Sequence, residues 1–148
     1  DGYFTDIVFN KMNIDEMMRI EGPLGTFYLR SDRKRPIIMM GGGTGFAPLK
    51  GMIEQAINEN LALDIHLFWG VRAEKDLYML DLIDQWSQKL PNFKFTPVLS
   101  EPDEADGWQG KVGFVHEAVI EAYKDLSEHD LYMCGPPVMI EASRNAVT

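Results

Sequence analysis

Cysteine is almost missing from this 148-residue sequence: Cys134 stands alone. One thiol excludes an internal disulfide and suits a reducing cytoplasm, and it cannot hold an iron–sulfur cluster, which several thiolates share. Basic residues are also scarce. Lys and Arg total 14 against 23 Asp and Glu, a net charge of −9. That sign repels phosphate backbones, so nucleic acid is not an expected partner, while docking with a basic protein stays open. No apolar run reaches the ~18 residues of a membrane span, and no signal-peptide pattern opens the chain. His66, His116 and His129 lack metal-ligand spacing, so no metal site is expected. The Gly-x-Ser-x-Gly pattern of many hydrolases does not occur, nor does any repeat or low-complexity segment.

What the sequence does have is a rhythm beginning at residue 36. PIIMM (36–40), DIHLFWG (64–70), FKFTPVL (93–99) and DLYMCG (130–135) read as strands, with Pro97 arguing against central pairing along all of the third. Helical spacing follows each of them, over 46–60, 74–90, 114–126 and 136–147. Leu77, Leu80, Ile83 and Trp86 form one apolar stripe, and Pro136–Pro137 suit the first turn of the last helix. Strand then helix, four times, implies an α/β fold with a doubly wound parallel sheet, and its strands are expected in the order 3-2-1-4. Ligands bind such sheets at the carboxyl ends of the strands, beside the point where strand order reverses. The loop over 100–113 is long, polar and Gly-rich.

Residues 1–35 do not share this pattern. YFTDIVFNKM reads as a short helix, MMRIEGPLGTFYL as two short strands about a turn, and Arg30 to Arg35 as a charged linker. The chain opens on Asp1 and closes inside a helical pattern, so a longer polypeptide is expected.

Three glycines end the first strand. Gly43, Thr44 and Gly45 stand where strand becomes helix, a place where glycine permits positive φ and lets a ligand approach the main chain. The helix start then favours a phosphate. A third fingerprint glycine would fall on Pro48, and no Gly-Lys-Ser/Thr follows, which disfavours a P-loop nucleotidase. On the motif alone, a glycine turn without a ligand remains open.

Gly43-Thr44-Gly45-Phe46-Ala47-Pro48 resembles the pyridine-nucleotide loop of the ferredoxin–NADP reductase superfamily, in which proline replaces the third glycine. Cys134-Gly135-Pro136-Pro137-Val138-Met139 resembles that superfamily's second signature. Gly70-Val71-Arg72 with Asp76-Leu77-Tyr78, and Leu99-Ser100 with Trp108, Gly110 and Gly113, fall at the intervening positions. The likeness covers residues 36–148, and wording such as FWGVRAEKDLYMLDLIDQW is similar to the reductases that serve CDP-6-deoxyhexulose dehydrases. Gly2-Tyr3-Phe4-Thr5 resembles the turn holding an FAD pyrophosphate, and Glu21 to Gly25 the end of a flavin barrel. The superfamily's Arg-x-Tyr-Ser flavin motif is absent, as is its final strand, the fifth in this count, with the C-terminal aromatic.

The resemblance implies residues 1–35 as the tail of an FAD-binding β-barrel domain and 36–148 as an NAD(P)H-binding domain. It implies an oxidoreductase passing hydride to FAD and electrons to an iron–sulfur centre or partner protein. A nucleotide-binding or regulatory domain without redox turnover is the alternative. Cys134 and Thr44 would sit beside the nicotinamide; without the resemblance, Cys134 reads as a small buried hydrophobe and Thr44 as a turn residue. Gly43, Gly45, Pro48, Gly135, Pro136 and Met139 would line the cofactor site, and Gly2 and Thr5 the FAD. Arg72 could pair with cofactor phosphates or with Glu74 or Asp76. Ser100 and Glu101 would meet the adenosine ribose, where an acid disfavours a 2′-phosphate; NADH is therefore expected over NADPH.

Overall fold

The computed structural model describes residues 2–103 and 107–147; within the polar loop expected over 100–113, residues 104–106 lie outside the described set, as do Asp1 and Thr148. β1 (Ile37–Gly42) is buried along its whole length. A strand covered on both faces reads as a continuous apolar run, which is what PIIMM is. It continues through Gly41 and Gly42, two residues beyond the apolar run. β2 (Ile65–Val71), β3 (Phe93–Leu99) and β5 (Asp130–Cys134) join it, with a two-residue β4 (Lys111–Val112) at one edge. The order is β4-β3-β2-β1-β5, and every pairing is parallel. The four long strands thus stand as expected, and β4 is an addition outside the third. Pro97 is tolerated because β3 has β4 as a second neighbour only at Val98 and Leu99.

Helices fill both faces. α2 (Phe46–Asn58) and α3 (Leu80–Lys89) cover one, where Met39, Leu67 and Trp69 meet Phe46, Ile53 and Trp86. α4 (Val115–Ala122) and α5 (Pro137–Ala146) lie on the other, where Val115 and Val119 meet Ile38, Met40 and Phe68. Each such buried side chain contributes about 1.5–3 kcal/mol. α3 starts later than its apolar stripe suggests. The Asp76 carboxylate accepts from the Ala73 N–H (3.1 Å) and closes a 3₁₀ turn over Glu74–Asp76, so Leu80 is left exposed while Leu77, Ile83 and Trp86 are buried.

Ahead of the sheet, α1 (Tyr3–Asn10) forms as its pattern suggests but buries none of its residues. The two strands expected between residues 17 and 29 do not form. Met17, Ile20 and Leu24 are exposed, and no partner strand is present for them among the described residues. The charged stretch is docked rather than free. Leu29 is buried, the Arg30 N–H donates to the Tyr132 hydroxyl (2.8 Å), and Arg33 and Arg35 reach Asp130 at the start of β5 (3.4 and 3.8 Å). The Arg35 guanidinium also donates to the carbonyls of Ser127 and Glu128.

Candidate functional site

β1 runs outward to β2 and β3 on one side, and the chain then returns to place β5 on the other. The order reverses between β1 and β5, so the turn after Gly42 and the turn after Cys134 are neighbours. A groove of about 650 Å³ opens there, walled by Gly43 and Thr44 from the first turn and Pro136 and Met139 from the second. Arg72 and Ser100, from the ends of β2 and β3, continue it. Two turns that stand more than eighty positions apart in sequence therefore meet at one site.

The glycines divide the work. Gly43 has φ +52°, and a Cβ added there would meet nothing within 4 Å, so it is a conformational glycine facing open space. Gly45 is buried, and its missing Cβ leaves room for the backbone carbonyl of Cys134. It is a packing glycine that lets the two turns touch main chain to main chain. Gly42 and Gly135 make room for Met139, whose sulfur would lie 2.5 Å from a Cβ at Gly42.

Aromatic residues support the first turn from below. Buried Trp69 stacks on Phe46 (centroids 4.0 Å apart) and donates its indole N–H to the Gly43 carbonyl (3.0 Å). Tyr78 meets the Trp69 ring edge-on at 5.0 Å and lines the groove. Phe114 and Val115 form the far wall after Gly113, where φ is +122° and the Glu117 carboxylate accepts from the Phe114 N–H (3.1 Å). Trp69, Lys75 and Phe114 are residues at the site that sequence reasoning missed, and Tyr78 was read only as part of a family-like motif. The only signal for Trp69 was its register opposite Gly41, which requires the sheet order to be known.

Other expected site residues fall differently. Pro48 lies within the first turn of α2, Gly135 packs beneath Met139, and Cys134 is half-buried; none of the three lines the groove. Glu101 lies outside it, exposed, with its carboxylate 3.9 Å from the Arg72 guanidinium. Arg72 thus pairs with Glu101 and not with Glu74 or Asp76, and backbone bonds from Ser100 to Val71 and from Glu101 to Arg72 hold the two loops together. Gly2 caps α1 and Thr5 lies in its first turn, both exposed. Among the described residues no cluster of His, Cys, Asp and Glu could hold a metal, and no helix is long and apolar enough to cross a membrane.

A family model described as the oxidoreductase NAD-binding domain matches residues 39–145. The chain belongs to the oxidoreductase NAD-binding domain family. Among this family's relatives of the chain is the CDP-6-deoxy-L-threo-D-glycero-4-hexulose-3-dehydrase reductase of Yersinia pestis, 44% identical over 98% of this chain and 43% of that protein. The anthranilate 1,2-dioxygenase electron transfer component of Acinetobacter baylyi is 33% identical over 96% of this chain and 40% of its own length. The solved structure of an Amycolatopsis cytochrome P450 reductase superposes with a TM-score of 0.75 and 34% identity, covering 90% of this chain and 42% of that one. The chain spans about two fifths of the length of these oxidoreductase relatives. The groove lies at the carboxyl ends of parallel strands across a switch point, where open α/β sheets bind their ligands.

Proposed function

We propose that the groove binds NAD(P)H and that the chain is the nicotinamide half of a flavoprotein reductase. The observation that carries this reading is the meeting of the Gly43–Gly45 and Cys134–Pro136 turns at the switch point. Its volume is within the usual range for a cofactor site, and Gly43 offers main chain with no side chain in the way. When bound, NAD(P)H would supply a hydride to FAD, which would release the pair as single electrons to an iron–sulfur centre or partner protein. The electron-transfer names of the relatives support this over a nucleotide-binding domain without redox turnover.

Thr44, exposed on the first turn, is suited to hydrogen-bond the nicotinamide carboxamide. Cys134 sets the height of the Gly45 turn through its carbonyl and would position the ring from behind. Arg72 and Lys75 supply the cationic side of the groove for the pyrophosphate. Ser100 faces the adenosine ribose and Glu101 stands just outside, favouring NADH over NADPH. Residues 1–35 would be the tail of an FAD-binding barrel, with Gly2 and Thr5 at the FAD pyrophosphate, and 36–148 the NAD(P)H-binding domain. A reducing cytoplasm suits a chain with one half-buried thiol.

The test is calorimetric titration of NADH into the protein and into Gly43→Val. The substitution puts a side chain over the turn and strains its left-handed backbone, so affinity is expected to fall at least tenfold, about 1.4 kcal/mol, in a variant whose circular dichroism spectrum shows it folded. Equal affinity in a folded variant would remove this turn from the cofactor site.

A further inference from the structure

The amino ends of the same strands carry a second concavity, of about 440 Å³, on the opposite side of the sheet from the groove's end. It arises where a helix stops short. α4 covers β1 and β2 and ends at Ala122, while β3 has no helix of its own on that face. Parallel strands normally carry apolar side chains on both faces. On this face Ile38, Met40, Phe68 and Val98 obey that rule, but His66, Lys94 and Thr96 do not.

These polar side chains are arranged unequally. His66 is spent on protein: its Nδ1 lies 2.7 Å from the Tyr123 hydroxyl and its Nε2 2.9 Å from Thr96 Oγ1. Burial, then the nearby Lys94, push its pKa down to about 4, so the ring is neutral at pH 7. Asp64 also lines the notch and accepts from the neutral Asn92 side-chain amide, so its carboxylate keeps its charge there, opposed to that of Lys94. The Lys94 side chain is exposed, and its ammonium makes no ion pair or hydrogen bond among the described residues. His129 has its Nδ1 shut away from solvent without a partner, which leaves Nε2 as the nitrogen it can offer. Around these groups the lining is apolar, from Pro36, Pro91 and Phe93.

We propose that this notch is a second binding site, for a small organic anion: a carboxylate on an apolar or aromatic body. Lys94 pairs with the carboxylate, and Pro36, Pro91 and Phe93 hold the body. The fixed, neutral His66–Tyr123–Thr96 chain presents no competing charge. With β2 seven residues long, the notch and the nucleotide groove stand about 20 Å apart, so the two ligands do not compete for space.

Benzoate is the probe, titrated into the whole chain by calorimetry and by ring-proton NMR of the histidines, with inorganic phosphate as the comparison. Saturable benzoate binding is expected, with shifts at His66 and His129, at least tenfold weaker in Lys94→Met and restored in Lys94→Arg. NADH affinity is expected to be the same with and without benzoate, which separates this site from the nucleotide groove. Absent saturation, or an unaffected Lys94→Met variant, would overturn the proposal. Phosphate binding as tightly as benzoate would overturn the organic-anion assignment, and competition between benzoate and NADH would place the anion in the groove instead.

Discussion

At the scale of single residues, two glycines two positions apart, Gly43 and Gly45, do opposite jobs, and substitution should separate them. A Cβ at Gly45 would collide with the Cys134 carbonyl, which belongs to main chain and cannot swing aside. Gly45→Ala should therefore lower the unfolding free energy by about 1–3 kcal/mol, the usual cost of overpacking, read from urea denaturation. A wild-type midpoint would show that the two turns are not in contact. The Arg72–Glu101 pair gives a second prediction. A carboxylate 6 Å from one unit of 2′-phosphate charge repels it by about 3 kcal/mol at a dielectric near 20, cut to ~1 kcal/mol by exposure. Arg72 already offsets much of this from 3.9 Å away. Arg72→Gln should raise the NADH-to-NADPH ratio of kcat/KM about fivefold in the holoenzyme, the ratio that ~1 kcal/mol gives, and Glu101→Gln should lower it. Ratios that stay put in both would take selectivity away from this pair.

At the scale of elements, the link between β2, β3 and the end of α4 makes the sheet sensitive to acid. The pKa of His66 is about 4 in the fold, against about 6.5 in an unfolded chain. The unfolded state therefore binds the proton first, so this contribution is complete above pH ~6.5 and is lost as pH falls toward 4. The urea midpoint should drop between pH 6.5 and 5, above the range where Asp6, Glu121 and Asp125 titrate, and His66→Asn should flatten that slope. An unchanged slope would mean His66 is not the acid-sensitive group. His66 also shows what the sequence discloses and what it withholds. Its place on a strand was legible, as were the four strand–helix units and the meeting of the two turns, because burial on both faces writes itself as apolar runs. Its partners were not, since Tyr123 and Thr96 reach it across 57 and 30 positions through pairings that no local pattern encodes. The same reason hid Trp69 beneath Gly43. The strands read into residues 17–29 failed differently: alternation predicts a face to be buried, but a strand also needs a neighbour, and the described residues supply none.

At the scale of the whole molecule, the front of the chain is two parts with different attachment. Residues 2–25 contribute no buried residue, whereas Leu29 joins the main core and Arg30 to Arg35 bind the region around β5. Deleting residues 2–25 should shift the Tm by less than about 3 °C. Removing residues through 35 should cost far more, since it uncovers Tyr132 and strips Asp130 of both arginines. A large Tm loss from the shorter deletion would contradict this division. The anchoring at β5 has a mechanical meaning as well. That strand is gripped at Asp130 by the incoming chain, and at its other end, about 13 Å away, Cys134 bears directly on Gly45. Tension on the front of the chain would not be absorbed by a slack tether. It would travel along β5 as along a tie-rod and arrive at the floor of the groove.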